Sequence, residues 1–179
     1  SNSAGQEGED RYLALERLYL DYAVTDATTL RVGKFLTPIG RWNLIHATPL
    51  VWTTSRPLIT TRTFPTNATG LMVNGTLPAV APGVEYALYA SKENELRPNP
   101  ALDPFYEAVG THIAIPLLEE GQVGLSYASF EQKKTRGENK QLVGADFVWS
   151  RNRYELSAEG VYRFSDVGNS WDEKGAFLQ

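Results

Sequence analysis

From Tyr12 to Gln179 the chain repeats a single device, a short run in which apolar and polar residues alternate, followed by a polar connection. Alternation at period two sends successive side chains to opposite faces, so each run reads as a strand with one apolar and one polar face. In the first run, Tyr12 to Val24, Leu18, Leu20, Tyr22 and Val24 share one face and Arg17, Tyr19 and Asp21 the other. Leu15, Leu18, Tyr19 and Tyr22 also fall at helical spacing, but the turn signal Thr25-Asp26-Ala27 and the resumed alternation of Thr28 to Leu36 favour a hairpin. The same reading holds for Gly70 to Leu77, Val84 to Lys92, Tyr106 to Leu117, Gln122 to Gln132, Gln141 to Ser150 and Tyr154 to Phe164, and Gly175 to Gln179 starts another. About eight strands and an incipient ninth, with no long helix between them, predict an all-β antiparallel meander.

The connections add a second regularity. Thr25 to Ala27, Pro78 to Gly83, Leu118 to Gly121 and Ser150 to Arg153 are short, while Arg41 to Thr69, Glu93 to Phe105, Lys133 to Lys140 and Ser165 to Lys174 are long and polar, and the two kinds alternate strictly. In a membrane β-barrel all odd connections lie on one side and all even ones on the other, with short turns opposite long loops. A mean hydropathy of -0.32 and the lack of any apolar run near 18 residues argue against a membrane helix, yet a barrel averages a lipid face with a wet one and reads as ordinary. Tyr22, Tyr127, Trp149, Tyr162 and Phe164 terminate apolar faces, where interfacial aromatics sit in barrels. The competing expectation is a soluble antiparallel protein that packs these aromatics in a core or stacks them on sugars.

Charge is unevenly placed. The chain is acidic overall, at -4, yet Ala27 to Val84 holds no Asp or Glu and carries Arg31, Lys34, Arg41, Arg56 and Arg62. These cations cluster around a long connection at about residues 37–69, together with Trp42, Trp52, Phe64, Pro38, Pro49, Pro57 and Pro65. If that connection folds into a barrel, its basic groups line a constriction favouring phosphate, sulfate or carboxylate solutes, and its stiff apolar residues pack on the wall. If it points outward, they meet anionic lipopolysaccharide or solvent. The polar strand faces mix signs through Arg17, Asp21, Arg31, Glu85, His112, Asp146, Glu155, Glu159 and Arg163, either as a field across a lumen or as structural ion pairs.

Chemistry other than diffusion finds little footing. With no Cys and two His there is no disulfide framework or thiolate site, and the expectation is no metal and no cofactor. No G-x-S-x-G, phosphate loop or H-E-x-x-H is present, Glu119-Glu120 sits in a tight turn, and no nucleophile is seen beside a base, so no catalytic residue is expected. Lys133 and Lys134 are balanced by Glu131 and Glu138, which gives no indication of nucleic acid.

Leu20-Asp21-Tyr22, then Leu30-Arg31-Val32-Gly33-Lys34-Phe35-Leu36-Thr37-Pro38-Ile39-Gly40 and Trp42-Asn43, resembles the bacterial outer-membrane porins of the phosphate-selective O and P type, in which a strand pair ending in such a segment precedes a long loop. Pro49-Leu50, Arg56-Pro57-Leu58 and Thr69-Gly70-Leu71 continue the likeness, which covers roughly Arg17 to Asn74. The resemblance implies a Gram-negative outer-membrane barrel of about sixteen strands, trimeric, embedded in lipid and lipopolysaccharide, and passing small hydrophilic solutes by diffusion. Relatives that bind phosphate use ladders of Arg and Lys; here Arg31, Lys34, Arg41, Arg56 and Arg62 fall in the matching region, while acidic residues share the other faces. The expectation is one partial barrel domain over residues 1–179, an internal portion of a longer porin, whose lumen wall includes Arg17, Asp21, Glu85, Asp146, Glu159 and Arg163.

Overall fold

The computed structural model describes residues 15–44, 63–80, 83–92, 103–117, 120–166 and 173–178. Among them lie nine strands: β1 (Leu18–Thr25), β2 (Thr28–Leu36), β3 (Asn67–Thr76), β4 (Glu85–Lys92), β5 (Phe105–Leu117), β6 (Gly121–Gln132), β7 (Lys140–Arg151), β8 (Tyr154–Ser165) and β9 (Glu173–Leu178). They form one sheet in sequence order, each antiparallel to the next. The expected meander is therefore present, and among the described residues the sheet is open, with β1 and β9 at its two edges. Helix among these residues is confined to a five-residue turn, α1 (Gly40–Leu44), and a 3-10 turn at Lys133–Thr135.

The first strand is shorter than its alternation predicts. Pairing starts at Leu18, and residues 12–14 lie outside the described part. The Glu16 carbonyl accepts a hydrogen bond from Asn67 Nδ2 at 2.7 Å, a side-chain partner in place of a ladder partner.

Because the register runs almost without a break, parity assigns side chains to faces along the sheet. Tyr22, Leu30, Val73, Leu88, Thr111, Tyr127, Val143 and Tyr162 are successive partners across β1 to β8 and make one nearly all-apolar row. Asp21, Arg31, Met72, Tyr89, Gly110, Ala128, Leu142 and Arg163 make the neighbouring row on the opposite face. The apolar face is the one left open, with Leu20 73% exposed, Tyr22 66% and Val109 57%. The other face, richer in polar and small residues, is the covered one: Asp146 is 7% exposed and Glu159 4%. This inverts the soluble one-sided sheet, which buries its apolar face and wets its polar one.

The covered face has its own apolar centre. Phe35, Ile39, Phe64, Met72, Tyr89, Phe105, Phe130 and Leu142 are buried in one cluster, drawn from the sheet and from both ends of the β2–β3 connection. Glycine makes room within it: a Cβ at Gly110 would enter the Tyr89 ring, so Tyr89 lies over the neighbouring strand, edge-on to Phe35 at 6.4 Å. At Gly33, φ is +131° and a Cβ would strike the Leu18 carbonyl, so the β1–β2 pair requires glycine there.

Gly33→Val should therefore lower unfolding stability by about 1–3 kcal/mol from backbone strain, before any cost of the clash. Gly137, at φ +86° and with open space for 4 Å around the position a Cβ would take, is the control. Urea titration of the folded protein followed by circular dichroism should show the larger midpoint loss for Gly33→Val than for Gly137→Val.

Candidate functional site

The β2–β3 connection turns inward at both ends. After Leu36 the chain passes Thr37, Pro38 and Ile39, all buried, and enters α1, which packs against β6, β7 and β8. The returning end, residues 63–66, is also buried. A compact polar knot ties the two ends together. The Thr37 amide donates to the Thr66 carbonyl at 3.0 Å, and its hydroxyl is shared between the carbonyls of Pro65 at 2.8 Å and Thr66 at 3.0 Å. Asn43 Nδ2 donates to the Thr37 carbonyl at 2.7 Å, to the Thr37 hydroxyl at 2.9 Å and to the Thr66 carbonyl at 3.0 Å.

Beyond the knot, the segment is held to the covered face of the sheet by β6 and β8. The Gly40 amide donates to Ser126 Oγ at 3.1 Å, and Arg163 donates through Nη1 to the Thr63 carbonyl at 3.1 Å. Gly40 sits at φ +65° directly over Glu159, where a Cβ would collide with the carboxylate, so glycine is required twice over. The Arg41 charge is within electrostatic reach of Asp146.

The expected wall residues divide clearly. Asp21, Glu85, Asp146, Glu159 and Arg163 all stand on the covered face by register. Arg17 lies exposed just ahead of β1. Arg31 is on the same face as Asp21 and grips it with Nε at 2.7 Å and Nη2 at 2.8 Å, its guanidinium 3.8 Å from the centre of the Tyr19 ring. That geometry is a bidentate structural pair. Lys34 is 2% exposed near the end of β2 and engaged in contacts of its own. Arg56 and Arg62, with His46, Pro49, Trp52 and Pro57, lie outside the described residues, as does the Trp42 side chain. The ring Phe64 and the prolines Pro38 and Pro65 are buried.

One grouping was not legible in the sequence. His112 Nδ1 lies 2.9 Å from Ser126 Oγ and 4.0 Å from Asp146 Oδ2, on three adjacent strands. A nucleophile therefore does stand beside a base, contrary to the reading of the motifs. The arrangement is not that of a working triad: serine and carboxylate face the same ring nitrogen, whereas a triad sets them on opposite nitrogens. Ser126 Oγ is moreover occupied by the Gly40 amide. The three residues are far apart in the chain and share no motif, and only the β5–β6–β7 register brings them together. Gly124 is the sole local signal, since a Cβ there would collide with the Asp146 carboxylate and prevent it from lying across β6.

Two changes test the attachment of the inward segment. Ser126→Ala strands the buried Gly40 amide, and Gly40→Ala forces a methyl onto Glu159; each should cost about 1–3 kcal/mol. Limited proteolysis of the folded protein should show faster cleavage within residues 37–44 in both variants, with cleavage of the β7–β8 turn unchanged.

Among the described residues no group of three or more His, Asp or Glu side chains is placed to hold a metal ion, and no helix is long and apolar enough to cross a membrane. Comparison with protein-family models, with curated proteins and with solved structures gives no match for the chain.

Proposed function

We propose that the chain forms wall strands of a porin-type β-barrel in a bacterial outer membrane, passing small hydrophilic solutes by passive diffusion without cofactor or catalysis. One observation carries the reading: the sheet leaves its apolar face open and covers its polar one. Leu18, Leu20, Leu71, Leu88, Val109 and Leu125, drawn from five strands, are all more than half exposed on that face. In water such a face drives association, because a monomer rarely exposes so large a contiguous apolar patch. In a bilayer it is the solvent-facing side, and the alternation of apolar-out with polar-in is what a barrel strand needs.

The loop arrangement agrees. By the observed strand bounds the connections at one end of the sheet span 30, 12, 7 and 7 residues and those at the other 2, 8, 3 and 2, so the two longest share one end, and the described ends of the longest turn in over the covered face. An open sheet cannot stay open in hydrocarbon, since every edge amide needs a partner. The reading therefore includes further strands beside β1 and β9 that close the barrel. Sugar stacking on exposed aromatics has less to draw on: Tyr162 and Phe164 stack at 5.8 Å, but the rest of the open face is mostly aliphatic.

Reconstitution into planar bilayers of these strands within the complete barrel that this reading requires should give stepwise ion conductance. Leu71→Arg and Val109→Arg, both on the outward face, should each lower stability in lipid by about 2–4 kcal/mol if they lie near the bilayer midplane. A chain that stays monodisperse without detergent, gives no conductance and tolerates both arginines would overturn the proposal.

A further inference from the structure

We propose that the outward face holds one phospholipid of the ethanolamine type, in a groove at the level where that face turns from apolar to charged; this rests on the porin reading above, which sets the face against lipid. The groove has a volume of about 600 Å³. Its apolar part crosses β3, β4 and β5, where Leu71, Ala90 and Val109 are successive register partners. Alanine between two branched side chains leaves a channel one strand wide, with the flanking backbones about 10 Å apart. Leu71 and Val109 are both more than half exposed, so the channel stands open.

Nearer the β4–β5 connection, on the same face, the register partners are Lys92, Glu107 and Glu131, from β4, β5 and β6. Each lies two residues along its strand from the apolar level and lines the same groove. Lys92 and Glu107 are exposed, and Glu131 is half-buried. Although Lys92 and Glu107 stand opposite each other, among the described residues neither has a hydrogen bond or ion pair, with the other or with any third group. Glu131 accepts from the Gly137 amide through Oε2 at 3.1 Å, which leaves Oε1 for another donor.

The order of these groups identifies the occupant. An apolar channel that opens onto charge at one end fits an amphiphile, with its chain on Ala90 between Leu71 and Val109 and its head at Lys92. A lysine ammonium offers donors and no acceptor, so it takes a phosphate oxygen. Ionised carboxylates only accept, so Glu107 and Glu131 take a positively charged group with N–H donors. Both demands, set side by side in one register row, are met by a head group that carries a primary ammonium beside its phosphate. A phosphoglycerol head lacks the cation, and a choline head has the cation without an N–H. Charge-assisted hydrogen bonds then fix the head, while the channel takes the start of the chain.

The test counts the lipid retained by the complete barrel in detergent, by native mass spectrometry, after addition of phosphatidylethanolamine, phosphatidylcholine or phosphatidylglycerol with identical acyl chains. The expected result is one retained ethanolamine lipid per barrel, bound about fivefold more tightly than either of the others, the effect of one net hydrogen bond. Glu107→Gln with Glu131→Gln should remove the preference for ethanolamine over choline, whereas Lys92→Gln should weaken both alike. Ala90→Leu, which fills the channel and keeps the face apolar, should abolish retention of all three, with circular dichroism to check that each variant is folded. Equal retention of the three lipids by the unaltered protein, or retention of none, overturns the inference even if no variant folds, and leaves the porin reading standing where the same preparation conducts in planar bilayers. An ethanolamine preference that survives the paired glutamate substitutions or Ala90→Leu overturns the assignment to this groove. Absence of conductance together with monodispersity free of detergent overturns the porin reading itself.

Discussion

The register of the sheet is the constraint from which the remainder follows. Side chains repeat every two residues, so a slip of one position anywhere between β1 and β8 would carry an entire strand's apolar set inward and its charges outward. Here seven successive strand pairs hold one parity across the face, interrupted only by the irregularities at Ala23 to Thr25 and Phe105 to Glu107, both at strand ends. Everything functional depends on that. Asp146 meets His112 because β5, β6 and β7 are in step, and Tyr89 finds the space above Gly110 for the same reason.

A sheet that covers carboxylates and exposes leucine has exchanged the usual roles of its surfaces. Burying Asp146 and Glu159 is expensive unless each gains compensating interactions, and the covering segment brings a guanidinium and a glycine amide to that region. The apolar cluster around Phe35, Phe64, Phe130 and Leu142 supplies the favourable burial that keeps the segment in place. The knot at Thr37, Asn43 and Thr66 then fixes how the segment leaves and re-enters the sheet. Its three residues are polar and almost wholly buried, yet the Thr37 hydroxyl and the Asn43 amide nitrogen partner one another and the neighbouring carbonyls, which lowers the cost of that burial.

The strands were legible because period two is a local signal: Thr28 to Leu36 is read with its observed bounds, and the sidedness of Leu20 against Asp21 or Ile113 against His112 is as the alternation implies. The start of β1 was not, since it depends on Asn67 reaching Glu16, a contact 51 residues away. Glu85, Asp146 and Glu159 were legible only as scattered carboxylates on polar faces. That Glu85, Asp146 and Glu159 fall at one level needs the lengths of every intervening turn, and that Arg31 is spent on Asp21 needs the pairing of β1 with β2. The Ser126–His112 contact illustrates the same limit, because proximity across strands leaves no spacing motif in the chain.

The attachment of the inward segment also orders events in time. Each strand pairs with its sequence neighbour, so the sheet can grow hairpin by hairpin with short loops to close. The segment's anchors are different in kind: Gly40 reaches Ser126 across 86 residues and Thr63 receives Arg163 across 100. Neither bond exists until β6 and β8 are in place. The described ends of the segment are made early in the chain and dock late, onto a covered face that exists only once the strands carrying Ser126 and Arg163 have joined the sheet.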